Sequence, residues 1–291
     1  METTENCLAV IGGSGLYEFD GFEVEDEVKP NTPYGKINDP IVCGRLGETR
    51  FVFLSRHGRG HRRIPSAVNY RANICALKML GATHVLSVSA VGSMREEIPP
   101  GMLVCVDQII DWTRRRRSTF FHDGVAVHVQ FADPVCPTLR DALASAVRRR
   151  FPEKLHDGGT YLCMEGPQFS TRAESMLYRS WDAVHVIGMT SMPEAKLARE
   201  AELPYAVLAL ATDYDCWHEA HEAVTAEAVM KVMAENVSSA KEVIIDLSSN
   251  LPDPTKSIAY KALDGAIMTD DAVISKDARA RLSWLRPFFM K

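Results

Sequence analysis

The chain has 291 residues, 46% of them hydrophobic and 24% charged, with a formal net charge of −5 at pH 7. These values are typical of a folded globular protein and argue against a disordered chain. The mild net charge gives no support for a nucleic-acid or membrane partner, so neither is predicted.

The cysteines and the amino-terminal segment bear on the compartment. The seven cysteines are scattered, odd in number and never spaced as CxxC, which indicates reduced core thiols. The start, METTENCLAVIGG, lacks the basic and apolar regions of a signal peptide, and no apolar run is long enough to span a membrane. We expect a soluble cytoplasmic protein, with nuclear access also open.

Apolar runs alternate with helical spacings along the chain, a pattern that predicts an α/β fold. The predicted strands are Cys7 to Gly12, short meanders within 20–48, Arg50 to Arg56, His84 to Ser93, Met102 to Ile110, Thr160 to Met164, Ala183 to Ile187 and the run that starts at Leu208. The predicted helices are Val68 to Leu80, Pro137 to Arg150, Thr171 to Trp181, Pro193 to Leu203 and Thr225 to Leu247.

No shift in composition marks a linker. We therefore predict a single domain at 1–251, with a central mixed, mostly parallel twisted sheet flanked by helices. A C-terminal extension at 252–291 follows it.

The first strand opens into Gly12-Gly13-Ser14-Gly15, a loop that can cradle an anion with its backbone N–H groups and the Ser14 hydroxyl. A tight turn that needs only glycine's freedom is the other interpretation. A dinucleotide-binding fingerprint is disfavoured, because Glu18 stands where its third glycine belongs.

Two basic segments follow predicted strands. Arg56 and His57 begin a polar segment that is either a solvated loop or an anion site, since arginine suits forked contact with phosphate. The run Arg114 to Arg117 is interpreted as an exposed loop or a subunit contact.

The stretch LALATDYDCWHEAHEAV ends a predicted buried strand with Asp213 and Asp215. Carboxylates in this position are either solvated or functional, because ligand-contacting groups of α/β proteins collect beyond the carboxyl ends of strands. The HEAHE segment that follows, from His218 to Glu222, lacks the i, i+4 histidine pair of a zinc helix. We interpret it as a solvated loop or lid and predict no metal site.

Polar groups at other strand ends extend this set. They are the hydroxyls of Ser14, Ser89 and Thr190, the pair Arg56 and His57, and the aromatic-hydroxyl pair Phe169 and Ser170. Together with the two aspartates they describe a site for inorganic phosphate beside a nucleoside.

Six ordered motifs now make a resemblance plain. They are VIGGSGLYEF, SRHGRGHRRIPSAVNYRANICALK, SVSAVGSMREEIPPG, MEGPQFSTRAES, GMTSMPEAKLAREAELPYA and LATDYDCW. Over roughly 7–250 the chain resembles the trimeric purine nucleoside phosphorylase superfamily, and within it the branch that cleaves 5′-methylthioadenosine.

The resemblance implies roles for particular positions. Phosphate binding falls on Ser14, Arg56, His57, Ser89, Ala90 and Thr190. Nucleoside binding falls on Phe169, Ser170 and Asp215 at the purine, Met189 and a neighbouring subunit's His128 at the sugar, and Ala226, Val229 and Met230 around the 5′-methylthio group. Asp213 is the expected catalytic residue, since a carboxyl in an apolar pocket holds a proton that it can give to N7 of the leaving base.

The expected enzyme is a pentosyltransferase of purine and methionine salvage. It would convert S-methyl-5′-thioadenosine and phosphate to adenine and 5-methylthioribose 1-phosphate, as a homotrimer, with phosphate as co-substrate and no cofactor. The alternatives are a broader phosphorylase of adenosine or 6-oxopurine nucleosides, a nucleosidase that uses water, and a non-catalytic purine-binding protein. The small Ala226 suggests some tolerance for adenosine.

Overall fold

A computed structural model describes residues 5–13, 16, 18, 20–218 and 226–290, apart from the side chains of 226–231 and 287–288. Its strands are β1 (Cys7–Gly12), β2 (Glu23–Val28), β3 (Ile41–Leu46), β4 (Thr49–Ser55), β5 (His84–Ser93), β6 (Leu103–Cys105), β7 (Gln108–Trp112), β8 (Leu155–Asp157), β9 (Thr160–Met164), β10 (Val184–Gly188) and β11 (Tyr205–Asp213). Its helices are α1 (Tyr70–Met79), α2 (Pro137–Arg150), α3 (Arg172–Ser180), α4 (Ser191–Glu200), α5 (Ala226–Ser248) and α6 (Lys276–Leu282).

These strands form one mixed sheet with the order β2-β3-β4-β1-β5-β10-β9-β7. β11 also pairs with β5, β6 pairs with β11, and β8 pairs with β6. Parallel pairs join β1 to β4 and β5, β9 to β7 and β10, β11 to β5, and β6 to β8. The remaining pairs are antiparallel. The predicted α/β class with a mixed, mostly parallel sheet is confirmed.

Local sequence accounts for most element bounds. All six residues of β1 and the first eight of β11 are buried, as continuous apolar runs predict for strands covered on both faces. Helix α3 begins where Thr171 and Glu174 form a reciprocal capping box. The C-terminal half of α5 buries Ala240, Ile244 and others in the core, whereas Thr225, the predicted first residue of this helix, lies outside the described residues.

The predicted strand from Met102 to Ile110 is wrong in one respect, because the chain forms two strands there. β6 pairs with β8 and β11, while β7 pairs with β9 on the far side of the sheet. The break falls at Val106 and Asp107, where the chain crosses from one set of partners to the other. An apolar run does not reveal this change of partner.

The C-terminal segment packs on the main core. Leu282 and Phe289 are buried in it, and the Trp284 ring meets Phe120 edge-on at a centroid distance of 4.9 Å. The division at residue 251 stays a prediction. No helix within the described residues combines the length and the apolar character needed to cross a membrane.

One feature of the sheet positions the candidate site. β11 pairs with β5 along almost its whole length, on one edge. The other edge is shared, because β1 pairs only as far as Ser87 and β10 pairs only at Gly92 and Ser93. Between these pairings the described strands leave a gap beside Val88 to Val91. Such a crevice, where neighbouring connections diverge, is where open α/β sheets bind ligands.

Candidate active site at a gap in the sheet

A cluster of polar side chains lies at this gap. We call it the strand-end cluster and define it as Arg56, Ser89, Tyr161 and Thr190. The Ser89 Oγ is 2.9 Å from the Thr190 Oγ1 and 3.1 Å from the Tyr161 hydroxyl, and all three side chains are buried. Ser89 and Thr190, which lie 101 positions apart in the chain, therefore meet as predicted.

Arg56 fills the gap itself. Its Nη1 donates to the Val88 carbonyl at 3.2 Å, and its Nη2 reaches the Ile11 carbonyl at 3.5 Å. The guanidinium thus supplies donors to β5 and β1 where the strands separate. Buried carbonyls that leave a strand ladder need such partners.

Arg56 is also paired with Glu194, a residue that sequence reasoning missed. Its Nε donates to Glu194 Oε1 at 2.5 Å and its Nη2 to Oε2 at 3.1 Å, with both side chains almost fully buried. Ser87 and Tyr205 also donate to Glu194 Oε2, at 3.0 and 3.2 Å. Arg56 is therefore a fixed, neutralised charge rather than a loose surface arginine, and its predicted contact with phosphate stays a prediction.

His57 follows Arg56 and is held by the next loop. Its Nδ1 donates to the Arg63 carbonyl at 2.8 Å, and its ring stacks on His61 at a centroid distance of 4.3 Å. Burial, together with the adjacent Arg56 charge, lowers the pKa of His57 to about 4. The ring is therefore neutral at pH 7, with a lone pair on Nε2.

The two aspartates lie at the carboxyl end of β11. Asp213 Oδ2 accepts from the Thr212 hydroxyl at 2.7 Å, and its Oδ1 accepts from the Asp215 backbone N–H at 2.8 Å. Burial raises the pKa of Asp213, and the Asp215 charge adds to this shift. Gly92 permits the close approach, since a Cβ there would lie 3.0 Å from Asp213 Oδ1.

The Asp215 side chain contacts helix α3 and not Thr212, which bonds Asp213. Its backbone has φ 54°, a left-handed conformation that aspartate tolerates better than most residues. The carboxylate is buried and accepts from the Ser175 hydroxyl of α3 at 2.5 Å. Burial also raises its pKa. Sequence reasoning missed Ser175, although it ends the motif MEGPQFSTRAES, because nothing in the sequence shows that its hydroxyl faces Asp215.

The segment that carries the predicted purine residues contacts the predicted sugar residue Met189 through Gly166. Gly166 (φ 67°) lies against the Met189 side chain, and a Cβ at that glycine would clash with the Met189 sulfur. Phe169 is half exposed, and the Ser170 carbonyl accepts from the Cys216 thiol at 3.4 Å. The segment 165–170 is thus linked both to Met189 and to the turn that follows the aspartates.

Ala90 adjoins the strand-end cluster, whereas the described contacts do not bring His128 to it. His128 is exposed and donates its backbone N–H to the Ala266 carbonyl at 2.9 Å, in a depression shared with Tyr260 and Lys261. Ala90 is half-buried, and its carbonyl accepts from Ser89 Oγ at 3.2 Å. Ser14 and the side chains of Ala226, Val229 and Met230 lie outside the described residues.

The interpretation of the arginine run is wrong for one member. Arg114, Arg115 and Arg117 are exposed, but the side chain of Arg116 is only 1% exposed. It donates to the carbonyls of Met189 and Met192 at 2.7 and 2.5 Å. A run of four arginines does not indicate which side chain is buried, because the carbonyls that accept from it lie in distant parts of the chain.

The segment from His218 to Glu222, for which no metal site is predicted, is described only at His218. Among the described residues, no group of three or more His, Cys, Asp or Glu side chains could hold a metal ion. His218 stacks on Tyr214 at a centroid distance of 4.7 Å. Glu219, His221 and Glu222 lie outside the described residues.

Buried hydroxyls beside an arginine and paired carboxyls at the same sheet end are parts suited to a phosphate and an uncharged base. The chain belongs to the phosphorylase superfamily, whose model matches residues 8–249. Among its relatives, the S-methyl-5′-thioadenosine phosphorylase of Geobacter sulfurreducens is 52% identical over 279 residues, covering 96% of this chain and 97% of the relative. The S-methyl-5′-thioadenosine phosphorylase of Thermosynechococcus vestitus is 50% identical over 265 residues, which cover 90% of this chain and 91% of the relative.

Solved structures agree with these relatives. A methylthioadenosine phosphorylase from an antarctic soil metagenomic library superposes with a TM-score of 0.91 at 47% identity, covering 98% of this chain and 100% of that one. The methylthioadenosine phosphorylase of Schistosoma mansoni in complex with adenine superposes with a TM-score of 0.83 at 34% identity, covering 90% and 99%.

Proposed function

We propose that this chain catalyses phosphorolysis of S-methyl-5′-thioadenosine, giving adenine and 5-methylthioribose 1-phosphate. The observation that carries the proposal is the convergence at one sheet end of the Ser89–Thr190 hydroxyl pair, Arg56 and the two aspartates. Two relatives named S-methyl-5′-thioadenosine phosphorylase, which cover 96% and 90% of the chain, support it.

In the proposed reaction a phosphate oxygen attacks C1′ of the ribose as the N9–C1′ bond breaks. The phosphate would be held by Ser14, Arg56, His57, Ser89, the Ala90 backbone and Thr190. A bound anion under the sugar stabilises the positive charge that develops on the ring, and it is already placed for attack. The reaction uses phosphate as co-substrate and calls for no cofactor.

The base leaves with a proton on N7. We propose that Asp213 supplies this proton, directly or through a water molecule, because burial favours its protonated form. Asp215 would accept a hydrogen bond from the 6-amino group of adenine. Phe169 and Ser170 would contact the purine, Met189 would lie under the ribose, and Ala226, Val229 and Met230 would enclose the methylthio group.

The proposed assembly is a homotrimer in which His128 of one subunit reaches the sugar site of the next. The exposure of His128 supports this, since the side chain is free of core packing. A cytoplasmic location is proposed as well, supported by the seven free cysteines.

A substrate panel with and without phosphate tests the proposed function. We expect adenine and 5-methylthioribose 1-phosphate to appear together, at equal amounts, only when phosphate is present. Turnover that continues unchanged without phosphate indicates a nucleosidase and refutes the proposal. Adenosine serves as a second substrate in the panel. We expect some turnover of it, because alanine at position 226 is small, and strict rejection of adenosine would contradict this expectation.

A further inference from the structure

Arg116 lies between two segments of the candidate site. Its Nη1 donates to the carbonyls of Met189 and Met192, at 2.7 and 2.5 Å. Its Nη2 donates to the Glu165 carbonyl at 2.8 Å and reaches the Met164 carbonyl at 3.4 Å. One buried side chain therefore joins the segment after β9 to the segment after β10.

These carbonyls need a donor because of where the strands end. β9 ends at Met164 and β10 ends at Gly188, so the carbonyls beyond them leave the sheet ladder. Buried carbonyls without a partner cost free energy. A guanidinium can bond several carbonyls at fixed angles, whereas a lysine ammonium is a single point of charge.

Arg116 is itself held in place on two sides. The Tyr70 ring lies against the guanidinium, 5.4 Å from its centroid, and the Tyr70 hydroxyl accepts from Nη1 at 3.2 Å. On the other side Glu165 Oε1 is 3.5 Å from Nε. The same carboxylate accepts from the backbone N–H groups of Arg114 and Arg115, at 2.6 and 3.2 Å, so it also fixes the loop that carries Arg116.

The two joined segments carry different parts of the proposed substrate pair. Met189 and Thr190 would contact ribose and phosphate, while the segment from Glu165 leads to Phe169 and Ser170 at the purine. We propose that Arg116 is a positioning residue that sets the distance between these two halves of the site. The inference rests on the proposed function and adds to it a residue that touches neither phosphate nor nucleoside.

The consequence is a loss of turnover greater than the loss of binding. Adenine occupies only the purine half, so its affinity depends little on where the phosphate half lies. Bond cleavage needs phosphate, ribose and base in register, and a misplacement of about 1 Å can cost about 100-fold in rate. Losing Arg116 should therefore lower kcat strongly and leave adenine affinity nearly unchanged.

The test compares Arg116→Ala with Arg115→Ala, a neighbouring variant whose side chain is exposed. We expect Arg116→Ala to lower kcat about 100-fold while adenine affinity, measured by calorimetry, stays within about threefold of wild type. Added guanidinium ion, at concentrations far below those that unfold proteins, should restore part of the lost rate, because it supplies the same planar fork of donors. Arg115→Ala should keep wild-type turnover and show no response to guanidinium.

Two outcomes overturn the inference. One is Arg116→Ala turnover within about threefold of wild type; the other is a loss of adenine affinity that matches the loss of kcat. If Arg116→Ala does not fold, Arg116→Lys decides, since it keeps the charge but not the fork: a large fall in kcat supports positioning, and full activity overturns it. Wild-type protein that releases no adenine in the presence of phosphate refutes the proposed function, independently of Arg116.

Discussion

The Arg56–Glu194 pair gives a prediction whose size follows from its surroundings. Glu194 accepts four hydrogen bonds, two from Arg56 and one each from Ser87 and Tyr205. The variant Glu194→Gln keeps the shape of the side chain. It removes the charge, however, and turns an amide N–H group toward at least one of these donors.

The burial of the pair determines how much unfolding free energy Glu194→Gln should lose. Arg56 is 3% exposed and Glu194 1%, so water cannot replace the lost carboxylate. Removing one partner of a buried ion pair costs about 3–5 kcal/mol. Glutamine retains one oxygen, so we expect the lower end, about 3 kcal/mol of unfolding free energy. At about 2 °C per kcal/mol for a chain of this size, the melting temperature should fall by about 6 °C.

Urea unfolding followed by circular dichroism measures the change in unfolding free energy. Glu242→Gln is the control. Glu242 pairs with Arg150 at 3.4 Å on the surface, and both side chains are nearly half exposed. That variant should unfold within about 1 kcal/mol of wild type. If Glu194→Gln is as stable as the control, the buried pair does not have the energetic role assigned to it, and the reasoning fails.

Three further predictions follow from other groups. Burial raises the pKa of Glu200 from its ordinary value of 4.5 to about 7, so wild type should lose about 3 kcal/mol of stability relative to Glu200→Gln as pH rises from about 4.5 to 7; parallel stability curves from urea titrations would contradict this. Asp213→Asn should lower kcat about 100-fold or more. In wild type, kcat should fall as pH rises through the raised pKa of Asp213, since only the protonated carboxyl supplies the proton, and an unchanged rate in Asp213→Asn would refute this role. Methylthioinosine should have a kcat/KM about 10⁴-fold below that of methylthioadenosine, because Asp215 would lose its amino-group partner; comparable values would remove Asp215 from base recognition.

The sequence carried enough information to place most strand ends. Ser89, Thr190 and Asp213 were predicted to share a site, since the ends of neighbouring strands in such a sheet meet at one crevice. Helix bounds were predicted best where local chemistry decides them. Pro137 opens α2 at the predicted residue, because its fixed φ and missing N–H suit a first turn.

The sequence did not reveal which polar residues turn inward. Glu194 was overlooked on a helix, although a carboxylate among buried neighbours needs a donor such as Arg56. The arginine run predicts an exposed loop or a subunit contact for Arg116, because its acceptors are backbone carbonyls that no sequence pattern marks. In both residues the deciding partner lies on another element, which explains why local patterns failed.

The shared edge of β5 has a consequence for the order in which the chain acquires its structure. The candidate site is complete only when β11 reaches β5, and the Thr212 hydroxyl that bonds the Val91 carbonyl lies 121 positions further along the chain. Contacts between residues so far apart in sequence form slowly, because a long loop must close first and its closure costs chain entropy. A nascent chain therefore holds both β1 and β5 on the ribosome well before it can bind a nucleoside. β11, whose end carries the two aspartates, is synthesised after all the other described strands of the sheet.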